Sequence, residues 1–393
     1  MASLPIPNPD SQAHSQQLCA LISQKIAQQG GWISFADFMH MALYTPRLGY
    51  YSGGAQKFGI AGDFVTAPEI SPIFAQTLAN QASQVLVATQ GNILELGAGT
   101  GKLAADLLLK LQALNALPNQ YLILEVSDHL RQIQVENLQK KLPANLLKRV
   151  VWLEKLPIDF VGLIFGNEVL DALPVHLLVR QNEVWLERGL TIDGDFTWQD
   201  KPLSNTKLTD NLNINVPNGY LTEVCPAAAG LINSLAASLK QGVILMIDYG
   251  FGAAEYYHPQ RNQGTLMCHY QHYAHTNPLI NVGLQDITAH VDFSQIAQIA
   301  SINNLPCKAP NLENVLVQLA GYVSQAQFLI NCGILSILQQ FSPQHASYIK
   351  LAAAAQKLLS PAEMGELFKV IALSKNFDEN LIGFISGDKA HTL

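Results

Sequence analysis

Three glycines spaced Gly97-x-Gly99-x-Gly101 follow a short apolar run, Ile93, Leu94 and Leu96, and precede a helical pattern at Leu103, Leu107, Leu108 and Leu111. Glycine lets the backbone turn tightly and come close to a ligand, and a helix that starts there offers unpaired N–H groups. A strand, a glycine turn and a helix in that order open a nucleotide-binding unit. The dinucleotide fingerprint spaces its glycines as G-x-G-x-x-G, whereas here the spacing is G-x-G-x-G. Glu95, two residues before the first glycine, would also repel a pyrophosphate. An acid at that place, with Ala98 inside the turn behind it, suits a cationic ligand.

Further acids fall at the ends of apolar runs. Residues 120–125 form such a run ending in Glu125, with Val126 beside it, and a helical pattern follows through Leu130, Ile133 and Leu138. In a doubly wound sheet an acid at the end of the second strand holds ribose hydroxyls, about 20 residues after the glycine turn. Glu125 comes 24 residues after Gly101; its other reading is a surface acid capping the next helix. Residues 161–165 read as a strand that runs into Gly166-Asn167-Glu168-Val169-Leu170-Asp171. Ligands of open α/β sheets bind beyond the carboxyl ends of the strands, which sets Asn167, Glu168 and Asp171 on the chemical edge. The stretch 62–71 mixes acids, hydroxyls and apolar residues with no period of 2 or 3.6. Irregular stretches of that kind carry function more often than packing. Its Asp63, Thr66 and Glu69 would close over a ligand, or else cap a helix over 72–87. His269, His272 and His275 are spaced by three, with His290 and Asp292 beyond, but no H-E-x-x-H or cysteine partner accompanies them, so no metal is expected. His290 reads either as a substrate-positioning or proton-relay group, or as a core-edge histidine bonded to backbone.

Positioning these residues requires strands at 92–96, 120–125, 150–154, 161–165 and 242–250 alternating with helices. That alternation implies a parallel, doubly wound α/β sheet. Before it, a helix capped by Asp10 or Ser11 is expected through Leu18, Leu21, Ile22 and Ile26 to Gly30-Gly31, and a second after Ser34 as its cap. Residues 177–198 have hairpin character around Asp193-Gly194. The rhythm breaks over 251–345, where helical patterns at 293–303, 312–318, 324–339 and 342–359 read as a helical cap. Runs at 367–373 and 381–386 read as a closing strand hairpin. The expected division is an N-terminal helical region with a covering loop (1–90), core strands (91–250), a cap or substrate insertion (251–345) and a final helix with the closing hairpin (346–393).

At 393 residues, 49% hydrophobic and 13% charged, the chain can bury one large α/β domain with insertions, or two domains. With 23 basic against 30 acidic residues its net charge is -7, which leaves no electrostatic footprint for bulk nucleic acid. The five cysteines are scattered without a C-x-x-C pair, as expected of free thiols in a reducing compartment. No apolar run reaches the ~18 residues of a membrane span. Only Lys25 is basic before Arg47, unlike an arginine-rich transit peptide, so a cytoplasmic location is expected.

The glycine stretch resembles motif I of the class I S-adenosylmethionine methyltransferases, whose ligand carries an ammonium and a sulfonium. Segments 43–51, 62–71, 94–101, 124–127, 166–176, 247–250, 264–275, 286–293 and 364–373 together resemble the MidA-type methyltransferases, whose mitochondrial members assist assembly of respiratory complex I. That resemblance implies a Rossmann-like class I fold with a seven-stranded, mostly parallel sheet. It also implies S-adenosylmethionine as cofactor, a homodimer, and, for the mitochondrial members, symmetric dimethylation of an arginine in a complex I subunit. Met267 departs from the family, which carries a basic residue after Gly264-Thr265-Leu266, so an anion or substrate contact there is not carried over. The cofactor would be held by Asp63, Thr66, Glu69, Glu95, Gly97, Ala98, Gly99, Gly101, Glu125, Val126 and Asn167. An arginine guanidinium, with a pKa above ~12, needs carboxylates to hold it and localise its charge. Glu168 is the first candidate, with Asp171 as a second carboxylate or a helix cap, and His290 beside them. Asn-Glu at this edge also differs from the Asn/Asp-Pro-Pro-aromatic of enzymes that methylate nucleic-acid amino groups. Other readings are an assembly protein that keeps the fold without catalysis, and a small-molecule methyltransferase.

Overall fold

A computed structural model of the chain describes residues 4–53, 66–210, 212, 214–302 and 317–393. It divides into two compact units, each drawn from separate stretches: residues 66–170, 230–252 and 291–393 in the larger, and 4–53, 171–229 and 253–290 in the smaller. These units cut across the division expected along the sequence, because antiparallel pairing gathers strands that lie far apart in the chain. Asp63 lies outside the described residues.

The larger unit is built on the strands β1 (Asn92–Leu96), β2 (Tyr121–Leu124), β3 (Val150–Leu153), β4 (Phe160–Asn167), β5 (Leu239–Phe251), β6 (Gln318–Ser324) and β7 (Phe368–Lys375). Their order is β3-β2-β1-β4-β5-β7-β6, with a two-residue strand, Val291–Asp292, on the end of β5. Strands β1 to β5 are parallel, and β7 is antiparallel to both β5 and β6. Near-continuous apolar runs form these strands because the sheet is covered on both faces; Ile93, Leu163, Phe165, Leu245 and Val370 are all buried. Helices α1 (Pro72–Thr89), α2 (Lys102–Ala113) and α3 (Asp128–Lys141) carry the matching apolar stripes, and Ser71 and Ser127 cap α1 and α3 through their side chains. The sheet is α/β and mostly parallel, as expected, and counts eight strands with Val291–Asp292 where seven were expected.

Two of its parts depart from expectation. Residues 381–386 contain a short 3-10 turn, Ile382–Phe384, and not a strand. The partner of β7 is β6, whose residues fell within the expected helical cap. The run around Ile382 has a glycine at its centre, and its amides turn to a side chain instead of a ladder, with Gly383 N donating to Gln81 Oε1 at 2.9 Å. The helix expected over 324–339 is two, Gln325–Asn331 and Ile334–Leu338, interrupted at Gly333, where φ is 86°.

In the smaller unit, helices Pro9–Gln28 and Phe35–Tyr44 stand where expected, the second capped by Ser34; the first is capped by Asn8, which accepts from Ser11 N at 2.8 Å, and not by Asp10 or Ser11. They share a core of Leu18, Ile22, Phe35, Phe38, Leu177 and Leu190 with an antiparallel sheet. Its strands run Ile33–Ser34, Val184–Asp193, His176–Gln181 and Leu221–Val224, and Asp195–Pro202 pairs with Val184–Asp193 around Gly194. Residues 267–288, expected in a helical cap, form a three-stranded sheet of Tyr273–His275, Met267–Tyr270 and Asp286–Thr288.

Candidate active site

At the carboxyl end of β1, Gly97, Gly99 and Gly101 all take positive φ, at 59°, 53° and 78°. Each serves a different need. A Cβ on Gly101 would sit 3.3 Å from the Gln134 Cα, so this glycine lets α2 and α3 approach. A Cβ on Gly97 would touch Val169, next to Glu168, at 3.4 Å. A Cβ on Gly99 would meet nothing within 4 Å; its conformation asks for glycine while the space beside it stays open. Gly101 N donates to Ala98 O at 2.7 Å, and α2 begins with no side-chain cap. Helix N–H groups left in that way are suited to a polar ligand.

Two side chains fasten the segment before α1 to this turn. Thr100 Oγ1 donates to Glu69 Oε1 at 2.5 Å, and Lys102 Nζ donates to Pro68 O at 2.7 Å while pairing with Asp106 at 2.8 Å. Glu69 thus stands beside the glycine turn. Thr66 begins the short helix Ala67–Ile70 and makes no side-chain cap.

Glu95 is 2% exposed and accepts a hydrogen bond from Tyr121 Oη at 2.8 Å. Burial pushes its carboxyl up to about 8, against the Tyr121 hydrogen bond, and the Glu125 charge adds to the rise. Glu125, at the end of β2, accepts from Ser127 N at 2.9 Å and from Gln134 Nε2 at 2.8 Å. Its carboxyl is also raised by burial, opposed by those donors. Val126 beside it is 79% exposed, an apolar side chain left facing outward. Gln134, fully buried, also donates to Gly99 O at 3.1 Å and accepts from Trp152 Nε1 at 3.0 Å. Sequence reasoning missed it. The signal was there: a lone amide at the middle of the Leu130–Gln134–Leu138 stripe that α3 buries.

At the end of β4, Asn167 Nδ2 donates to Glu168 Oε1 at 3.0 Å, and Asn167 Oδ1 is buried with no hydrogen-bond partner among the described residues. Glu168 holds a left-handed backbone, φ 54°, and its N donates to Ile247 O at 2.9 Å. Such a conformation costs a non-glycine residue about 1 kcal/mol and is kept where surroundings impose it. Here Asp248 imposes it. Its fully buried carboxylate accepts from the N–H groups of Val169 at 3.1 Å, Leu170 at 2.8 Å and Tyr249 at 2.9 Å.

Asp171 and His290 belong to the smaller unit, where Ala289 N donates to Asp171 O at 3.1 Å. His290 N is bonded to Thr265 Oγ1 at 3.0 Å and its Nδ1 lies 3.4 Å from Thr265 O. Burial lowers the ring to about 4, with Arg261 acting in the same direction, so it is neutral near pH 7. That surrounding matches the core-edge reading more closely than the catalytic one. The Gly264-Thr265-Leu266 stretch satisfies a buried acid nearby, with Thr265 N and Leu266 N donating to Glu223 at 2.8 and 3.1 Å. Among the described residues no group of three or more histidine, cysteine, aspartate or glutamate side chains is placed to hold a metal.

Comparison with known proteins decides the class. A family profile whose description names S-adenosyl-L-methionine-dependent methyltransferases matches residues 73–311. The chain belongs to this family. Curated relatives include proteins named protein arginine methyltransferase NDUFAF7, mitochondrial. The zebrafish (Danio rerio) protein is 29% identical over 87% of this chain and 83% of its own length. The Xenopus tropicalis protein is 30% identical over 87% and 82%, and the human (Homo sapiens) protein 28% over 87% and 80%. The crystal structure of a Burkholderia thailandensis protein bound to S-adenosyl-homocysteine superposes with a TM-score of 0.93, at 48% identity over the whole of both chains. This methyltransferase therefore has S-adenosylmethionine as its cofactor. The expected cytoplasmic location is corrected by the same comparisons. It rested on an arginine-poor N-terminus, and these relatives are named mitochondrial, so kinship does not carry a cytoplasmic location. Among the described residues no helix is long and apolar enough to cross a membrane.

Proposed function

We propose that this methyltransferase methylates an arginine side chain of a protein, a subunit of a respiratory complex I-type assembly, and that it acts as a homodimer. The arginine is supported by the names of the relatives, and the complex I subunit and the dimer by the family resemblance. The observation that carries the reading is the Asn167–Glu168 pair: a carboxylate held at a strained backbone position, with a buried amide oxygen beside it that still has an acceptor to offer. A guanidinium presents N–H donors in a planar fork that suits such acceptors. Glu168 would hold the fork, localise its charge away from the attacking nitrogen and take the proton that leaves.

The turn and its acids fit the cofactor. The open space at Gly99, the uncapped start of α2 and the acids at the ends of β1 and β2 suit a nucleoside with a cationic tail. When bound, S-adenosylmethionine supplies a methyl group activated by its sulfonium. Gly97, Ala98, Gly99 and Gly101 would bring their backbone to it, Glu95 would face its ammonium, Glu125 its ribose hydroxyls and Val126 its adenine. Thr66 and Glu69 would border the site, and Asn167 would meet the donor or the guanidinium through Oδ1. Methyl transfer is an in-line displacement, so alignment of the two is the main service these residues give.

The test is incubation of the purified protein with methyl-labelled S-adenosylmethionine and protein from cells lacking this chain, followed by mass spectrometry of the labelled product. Label on arginine, in a protein of a complex I-type assembly, is expected. Label confined to lysine, to a small molecule or to nothing would overturn the reading. Sedimentation should give twice the mass of one chain; a single-chain mass removes the dimer.

A further inference from the structure

The amide of Gln134 ties together three elements that no two of them could tie alone. It is fully buried on α3, where its neighbours along the stripe, Leu130 and Leu138, are apolar. One Nε2 hydrogen goes to Gly99 O at 3.1 Å, in the glycine turn. The other goes to Glu125 Oε2 at 2.8 Å, at the end of β2. Its Oε1 accepts from Trp152 Nε1 at 3.0 Å, on β3. Both donors and one acceptor position of the side chain are thereby used. An apolar residue would pack in this stripe at least as well, and it would leave the Trp152 N–H without this acceptor and Glu125 without this donor. Gly101 sets the contact, because only without a Cβ can the turn lie this close to the Gln134 backbone.

We infer that Gln134 is a positioning residue for the nucleoside half of the cofactor: it fixes the Glu125 carboxylate and the Gly99 carbonyl relative to each other and to the Trp152 ring. The inference rests on the reading that Glu125 takes the ribose hydroxyls. Glu125 has one oxygen committed to Ser127 N and the other to Gln134, so its remaining lone pairs point in directions that Gln134 determines. A residue that merely filled the core would alter stability. A positioning residue alters how well the site tells a ribose with hydroxyls from one without.

The experiment compares S-adenosyl-homocysteine with its 2′,3′-dideoxy analogue by calorimetric titration, in the wild-type protein, Gln134→Leu and Trp152→Phe, while following tryptophan emission. Wild type should prefer S-adenosyl-homocysteine at least tenfold. Gln134→Leu should bind it about tenfold more weakly, bind the analogue nearly as before, and lose the change in emission on binding. Trp152→Phe keeps the ring and the Gln134–Glu125 bond, so it should keep the preference. If Gln134→Leu fails to fold, Gln134→Met, with a flexible side chain of similar length, takes its place. Equal affinities for the two ligands in wild type would remove the ribose reading of Glu125 and the inference with it. A preference that wild type shows and Gln134→Leu retains would overturn the role of Gln134 alone.

Discussion

Glu95 is a candidate cofactor residue whose chemistry burial changes. Burial raises its carboxyl to about 8 from an unfolded value near 4.5, so the folded protein holds a proton that the unfolded chain has released at neutral pH. The stability contributed by this group is complete below about pH 4.5 and is lost as pH rises through 8. Relative to wild type, Glu95→Gln should therefore gain in stability as pH increases from 6 to 9, by a few kcal/mol at most, in urea unfolding at each pH. A constant difference across that range would show that Glu95 is ionised throughout. The same substitution should weaken S-adenosylmethionine and S-adenosyl-homocysteine alike at pH 8.5, since both carry the ammonium that Glu95 would face; unchanged affinity for both would remove that role. Glu125, Asn167 and Glu168 can be singled out in the sequence because each follows an apolar run, and Glu95 because it stands two residues before the glycine turn; whether they act as proposed is for the tests to decide. Gln134 could not be singled out, because pattern marks polar residues in an apolar stripe as errors until a partner is seen. His290 stands out in the sequence by residue type, which says nothing of its surroundings; in the fold its N and Nδ1 both turn to Thr265.

At the scale of elements, the glycine turn separates binding from folding. Gly99→Ala adds a methyl group into open space at φ 53°, so the cost is conformational, about 1 kcal/mol, and S-adenosyl-homocysteine affinity should fall at least tenfold. Gly101→Ala adds strain at φ 78° and a contact with Gln134, so it should destabilise by about 1–3 kcal/mol. Thermal unfolding beside titration separates the two; equal losses of stability would contradict the division of roles. The closing strands test the corrected topology. A side chain on Gly321, in β6, would collide with the Phe384 ring of the 3-10 turn, so Gly321→Val should lower stability by about 1–3 kcal/mol or more while leaving cofactor affinity of the folded protein unchanged. The parallel strands could be foreseen because each is an apolar run, and β1 and β2 each lead directly into a helix. Strand β6 could not, since it follows a long insertion and its pairing with β7 is non-local.

At the scale of the whole molecule, the chain couples a complete class I methyltransferase sheet to a second unit assembled from three stretches. The first is open to derivation from sequence through its periodicity; of the second, the two N-terminal helices and the turn at Asp193-Gly194 were open to it as well, whereas the antiparallel pairing between distant segments was not. In the proposed function the larger unit binds S-adenosylmethionine and the Asn167–Glu168 edge turns binding into transfer. The most direct test measures Glu168→Gln twice: its affinity for S-adenosyl-homocysteine by calorimetry, and its rate of methyl transfer to protein arginine. Affinity within about threefold of wild type with a rate lowered at least a hundredfold, about 2.7 kcal/mol of lost transition-state stabilisation, is the predicted result. Wild-type transfer by the variant, or loss of affinity in proportion to rate, would contradict it.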